Sequence, residues 1–157
     1  MNNHPFLNKD FKINWSTLKA ENILPDMRLA IKRAEEVIET ICGRNDEEVT
    51  FENTVLALSD HLSDLDEVWD KAGVLETLCE TPDIRKNYNE ILPELVQFYS
   101  GINLNENLWK KIKFYKDTTE CNNLRGVKKR LFERSYHYFV DYGAERHGFL
   151  RLGVSTA

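Results

Sequence analysis

Glycine and proline are scarce in this chain, seven and four of 157 residues. Both sit at natural breaks, so their scarcity favours long helices over many short, turn-linked strands. The three cysteines, Cys42, Cys79 and Cys121, are odd in number, far apart and form no CxxC pair. That argues against a disulfide framework or a metal knuckle and for reduced thiols packed on or near helices. No apolar run approaches the ~20 residues that a membrane span needs. The opening Met1-Asn2-Asn3-His4-Pro5 has neither the basic start nor the apolar core of a secretory signal. Cytoplasmic residence without a membrane partner is the expectation. Positive charge is also short, with 21 Lys and Arg against 26 Asp and Glu, a net −5. Beyond Lys128-Lys129-Arg130 there is no basic face, so no nucleic-acid partner is expected.

What is present reads as a folded helical protein. Hydrophobic residues make up 41% and charged residues 30%, a globular balance. The length suits about one domain that buries roughly two thirds of its unfolded surface. The stretch to about Trp15 has no sustained period and reads as an extended arm, after which Ser16 is placed to cap a short turn. Pro25 suits the first turn of a helix. After it Met27, Ala30, Ile31, Ala34, Ile38 and Ile41 make one apolar stripe, with Gly43 at its end.

The second helix is the clearest. Thr50 can cap it, and Glu52 in the first turn suits the helix dipole. Phe51, Val55, Leu58, Leu62, Leu65, Trp69 and Ala72 then step by fours and threes, a coiled-coil-like seam. Thr81-Pro82-Asp83 starts a third helix with Ile84, Tyr88, Ile91, Leu95, Phe98 and Ile102 inward. Pro93 inside that pattern is expected to kink or divide it. Leu108, Ile112 and Tyr115 continue an apolar face. A last helix from about Asn122 places Leu124, Val127, Leu131 and Tyr138 together and ends at Gly143. The fold class is all-α, a bundle of long antiparallel helices. Its expected organisation is an arm over 1–15, a helical region over 16–145 and a divergent tail over 146–157.

The order of these pieces resembles the amino-terminal region of the thimet-oligopeptidase-like and oligopeptidase A-like zinc peptidases. His4-Pro5-Phe6-Leu7 resembles their opening Asn-Pro-Leu-Leu, and Trp15 through Pro25 their approach to the first long helix. Thr50-Phe51-Glu52-Asn53-Thr54 is similar to Thr-Trp-Glu-Asn-Thr, with Phe51 in place of tryptophan. Thr81 through Arg85, with Tyr88 and Leu92-Pro93, resembles the family's Ser-Pro-x-x-Arg helix. Glu106-Asn107-Leu108-Trp109 resembles its acidic-x-Leu-Tyr stretch, and Tyr142-Gly143-Ala144 its Ser-Gly-Ala helix end. The resemblance covers about residues 5–145. From Arg146 to Ala157 it fails, and the tail suggests truncation or a frameshift, with an authentic short protein as the alternative.

The resemblance implies hydrolysis of short peptides by one zinc ion, held by a His-Glu-x-x-His helix and a more distant glutamate. None of His4, His61, His137 or His147 begins that motif. No catalytic, cofactor-binding or metal-binding residue is therefore carried over. Zinc belongs to the parent family, and no cofactor is expected in this chain. His61 beside Asp60 and Asp64 reads as a solvated helix face. Ser135 and His137, two apart on a helix, point in different directions. Cys121 beside Glu120 lacks the positive surroundings that lower a thiol pKa. Tyr115, Tyr136, Tyr138, Phe139 and Tyr142 read as core ahead of a peptide channel.

What the family implies for this chain is a non-catalytic helical segment forming part of a substrate-channel wall and silent by itself. Its expected partners are the missing catalytic region or short peptides, and self-association through exposed apolar faces is expected of the isolated chain. The alternative is a stand-alone helical interaction module whose long seam pairs with a partner helix. A third reading is an enzyme assembled from two polypeptides.

Overall fold

The computed structural model describes residues 4–79 and 81–142. Six α-helices lie among them: α1 (Ala20–Gly43), α2 (Ala57–Cys79), α3 (Pro82–Asn103), α4 (Glu106–Lys116), α5 (Thr119–Asn123) and α6 (Gly126–Tyr142). No strand occurs among the described residues, so the fold is all-α. The chain divides into two compact units: residues up to 36 with 60–98, and residues 37–59 with those from 99 onward.

In the first unit three apolar stripes close on one another. Ile23, Met27, Ala30, Ile31 and Ala34 of α1 are buried, as are Leu65, Val68, Ala72 and Leu75 of α2. Ile84, Ile91, Leu95 and Phe98 supply the α3 side. Pairwise contacts set the directions. Trp69 stacks on Tyr88 with ring centroids 4.2 Å apart, and Glu76 meets Arg85 at 3.7 Å, so α2 and α3 run antiparallel. Asn87 donates its amide to the Ala20 carbonyl at 2.7 Å, while Arg28 reaches Glu94 at 2.7 Å. Advancing along α1 thus advances along α3, and the three helices run up, down and up. Arg28 forks onto Glu94, which holds that carboxyl below its ordinary range and raises the guanidinium. Both groups are exposed, so the pair orients the helices more than it stabilises them.

The helical periods hold, but several boundaries and faces shift. Helix α1 begins at Ala20, so Pro25 lies inside it and not in its first turn. The bond to the Glu21 carbonyl is lost, but starting early lets Ile23 join the buried stripe. Ser16 caps nothing: it lies inside a 3-10 turn, Trp15–Thr17, and donates its hydroxyl to the Asn14 side chain at 2.7 Å. Pro93 does not divide α3, which is continuous from Pro82 to Asn103. Its ring is exposed and Asn89, four residues back, is exposed too, so water can serve the freed carbonyl. Thr81 does cap this helix, its hydroxyl accepting from the Ile84 N–H at 3.3 Å.

The seam of α2 is buried at Val55, Leu58, Leu65 and Ala72, but Leu62 and Trp69 are only half-buried. Full burial of a tryptophan implies a loss of about 3–5 kcal/mol on truncation. Trp69→Ala should therefore cost less than that range in urea denaturation. A loss inside it would mean that the stacked Tyr88 also collapses.

In the second unit Ile41, Val49, Phe51 and Val55 pack with Leu108, Ile112, Tyr115, Phe132 and Phe139, all buried. Here the expected face of the last helix is wrong. Val127 is 71% exposed and Tyr138 42% exposed, while Phe132 and Phe139 turn inward. The helix starts at Gly126, after the separate short helix α5, and not at Asn122. One residue of displacement turns a helix face by about 100°. The aromatic rings of α4 decide which face wins. Gly143 and the tail from 146 lie outside the described residues.

Candidate functional site

The stretch that singled out this chain, Thr50 to Thr54, forms a dense local knot in the second unit. Thr50 is extended and caps the helix: its hydroxyl accepts from the Asn53 N–H at 3.2 Å, and the Asn53 side-chain oxygen accepts from the Thr50 N–H at 2.9 Å. This is a reciprocal capping box with asparagine at its third position. The Asn53 amide also donates to the Glu48 carbonyl at 2.8 Å. Thr54, fully buried, donates its hydroxyl to the Asn53 side chain at 2.9 Å.

Phe51–Leu56 then form π-helical turns before α2 proper. Two longer ties leave this knot. The Phe51 N–H donates to the Glu120 carboxylate of α5 at 3.1 Å, and Lys128 of α6 reaches Glu52 at 2.6 Å. That lysine holds the Glu52 carboxyl below its ordinary range and lies 5.2 Å from the Phe51 ring centroid. π-Turns often mark functional sites. Here the polar side chains of the motif meet groups of the chain itself, and the arrangement acts as a joint between α2, α5 and α6.

Next to this joint lies an aromatic cluster. Trp109 stacks on Phe139 at 5.7 Å and tilts against Tyr136 at 5.1 Å, while Tyr115 meets Phe132 edge-on at 5.4 Å. Of the five aromatics weighed as a channel lining, Tyr115 and Phe139 are buried, Tyr136 is half-buried and Tyr138 is exposed. The Tyr142 side chain lies outside the described residues.

The Tyr115 hydroxyl is buried without a hydrogen-bond partner. Burial, then the nearby charges of Glu120, Cys121 and Glu52, push its pKa well above the ordinary value. A raised folded-state pKa means stability is fully present below about pH 10, where unfolded tyrosine ionises, and is lost as pH rises toward the folded pKa. Tyr115→Phe should leave stability at pH 7 unchanged or higher, because the orphaned hydroxyl is removed. It should also shrink the alkaline loss by up to about 1.4 kcal/mol per pH unit. Urea denaturation at pH 7 and at pH 10–11 checks both; an unchanged alkaline slope would show that Tyr115 ionises freely.

The other candidate residues do not assemble into a reaction centre. His61 and Asp64 line a cavity of about 30 Å³, room for one water, and Asp64 is paired with Lys9 at 2.6 Å. Asp60 is exposed. Ser135 donates to the Leu131 carbonyl at 3.0 Å, one turn back on its own helix, and not toward His137. The described cysteines are free thiols. Burial and then Glu120 push the Cys121 thiol up, opposite to the shift a nucleophile needs. Among the described residues no group of three or more His, Cys, Asp or Glu converges to hold a metal ion. His147 lies outside them. No helix of the described residues is long and apolar enough to cross a membrane.

Sequence reasoning missed a polar anchor in the first unit. Asp26 and Lys71 are 0% and 4% exposed. Asp26 accepts from His4 Nδ1 at 2.7 Å and from the Phe6 N–H at 2.8 Å. Lys71 donates to the carbonyls of Phe6 at 3.0 Å and Asn8 at 2.7 Å, and pairs with Glu67 at 2.7 Å. The available signal was a charge set within each apolar stripe, Asp26 between Ile23 and Met27, and Lys71 between Val68 and Ala72.

The chain is 23% identical over 136 residues to Oligopeptidase A of Haemophilus influenzae, covering 87% of this chain and 20% of that protein. It is 23% identical over 134 residues to the Probable cytosolic oligopeptidase A of Arabidopsis thaliana, covering 85% and 19%. The chain thus spans about a fifth of the length of these relatives. No solved structure matches it. The profile of the neurolysin/thimet oligopeptidase N-terminal domain matches residues 21–148, most of the chain. The chain therefore belongs to the neurolysin/thimet oligopeptidase family, through that N-terminal domain.

Proposed function

We propose that this helical region serves as the non-catalytic front of a metal-dependent oligopeptidase, contributing part of the wall of a substrate channel. The observation that carries the reading is the match of the N-terminal domain profile to residues 21–148. The self-contained bonding of Thr50 to Thr54 supports it, because those side chains position helices and present no reacting group. In this reading, selection of short peptides comes from channel geometry, while zinc and bond cleavage belong to the catalytic region of the family. Residence in the cytoplasm goes with it.

The rival reading, a helical interaction module paired through the α2 seam, meets a physical obstacle. Phe51, Val55, Leu58, Leu65 and Ala72 are already buried within the chain. A partner would have to use other apolar residues, such as Leu78 of α2 or Val127 of α6, both exposed. Light scattering on the purified chain discriminates, since a stable stoichiometric complex favours the module.

The direct test is a chimera in which residues 21–148 replace the matching fifth of the Haemophilus influenzae oligopeptidase A. The chimera is expected to cleave a short quenched peptide and to leave a folded protein intact. The chain alone is expected to show no hydrolysis that a chelator blocks. Chelator-sensitive cleavage by the chain alone, or a chimera that digests the folded protein, would overturn the reading.

A further inference from the structure

Two charged side chains buried in the first unit are turned toward main chain. Asp26 takes the Phe6 N–H, and the Lys71 ammonium takes the Phe6 and Asn8 carbonyls. They bracket one residue on both sides of its backbone. The Phe6 ring itself is fully buried. The segment they hold is slight: a single 3-10 turn, Pro5–Leu7, followed by exposed residues from Asn8 to Asn14 except Ile13. Burying two charges is costly unless their hydrogen bonds are met, and here main-chain groups of this segment meet much of that need.

We infer that the groove between α1 and α2 in the first unit is a peptide-binding site, occupied in cis by the chain's own residues 4–9. The chemistry of the site is that of peptide recognition. A carboxylate for an N–H and an ammonium for two carbonyls read backbone, which every peptide offers. The buried Phe6 pocket reads one large apolar side chain. Lys9 to Asp64, at 2.6 Å, adds a charge contact at the rim. The ligand that fits is a short peptide with an aromatic residue after proline, folded in one 3-10 turn. The resident segment blocks it, because a tethered occupant competes at an effective concentration on the order of millimolar. This inference stands on the geometry of Asp26, Lys71 and Phe6 and does not depend on the oligopeptidase reading.

The test uses the full chain. Phe6→Ala empties the pocket while leaving the clamp, and a fluorescein-labelled peptide His-Pro-Phe-Leu-Asn-Lys is then titrated by anisotropy. The Phe6→Ala chain is expected to bind it saturably, and the unaltered chain at least about tenfold more weakly, because its own segment competes. Adding Lys71→Met should abolish binding, as should Phe-to-Ala in the peptide. A helical Phe6→Ala chain that ignores the peptide overturns the inference, as does binding that survives Lys71→Met. Should Phe6→Ala lose its helical circular dichroism, amide exchange in the unaltered chain decides. Exchange at Phe6 much faster than at Leu65 supports a segment that leaves its groove while the helices stay folded. Equal rates at the two amides would make residues 4–9 a fixed part of the core and overturn the proposal.

Discussion

Phe51→Ala is expected to remove about 3–5 kcal/mol of stability, the cost of deleting a buried aromatic ring and leaving a cavity. Phe51 is 1% exposed and opens the π-turns at the start of α2. Its N–H is held by Glu120, and its ring carries the Lys128 ammonium. The change keeps the N–H bond to Glu120 and removes the buried ring together with its contact to Lys128 of α6. The backbone cap of Thr50 and Asn53 is untouched by the change, so α2 should still form and the loss should appear as weaker packing of α4 and α6. Urea denaturation followed by circular dichroism and by tryptophan fluorescence checks this, because Trp109 reports on the second unit. A loss below about 1 kcal/mol would mean that the ring contributes little packing and that the motif works through its cap alone. Phe51→Trp restores the residue that the resembled family carries here. It should destabilise, because a larger ring must fit a site that Phe51 already fills.

Asp26→Ala should cost about 3 kcal/mol, the value of two hydrogen bonds to a buried charged acceptor less the solvation regained by their donors. The carboxylate is fully buried, and the change leaves the Phe6 N–H without its acceptor. Asp26→Asn keeps the shape and one acceptor oxygen, so it should retain part of the stability. Equal losses for alanine and asparagine would show that the charge, and not the acceptor geometry, holds the segment. Stability from urea denaturation at pH 7 gives both values. A neutral Asp26→Ala would mean that water replaces the carboxylate at no cost and that the segment is held by Phe6 and Lys71 alone.

The clearest parts of the chain were legible because they depend on local rules. Thr50 and Thr81 cap their helices through their own hydroxyls, and cap chemistry is written within four residues. The stripe from Met27 to Ile41 is buried as its spacing requires. The face of α6 was not legible, since Val127 with Leu131 and Phe132 with Phe139 both fit a helical period. Only contact with Trp109 and Tyr115 selects between them. Pro25 was read as a first-turn proline and Pro93 as a kink or break because proline lacks an N–H, yet both lie inside continuous helices whose flanking apolar residues, Ile23 with Met27 and Ile91 with Leu95, are buried.

By itself the sequence determined an all-α chain, its capped helix starts, most of its apolar stripes and its kinship with the oligopeptidase N-terminal domain, since these are set by residue type and spacing along the chain. Tertiary structure decided what spacing cannot carry. It chose the inward face of α6, joined Thr50–Thr54 to Glu120 and Lys128, and buried Asp26 and Lys71 around the backbone of Phe6. Each of those choices joins residues at least 17 positions apart. A charge in an apolar stripe becomes intelligible only when the main chain that satisfies it has been brought alongside.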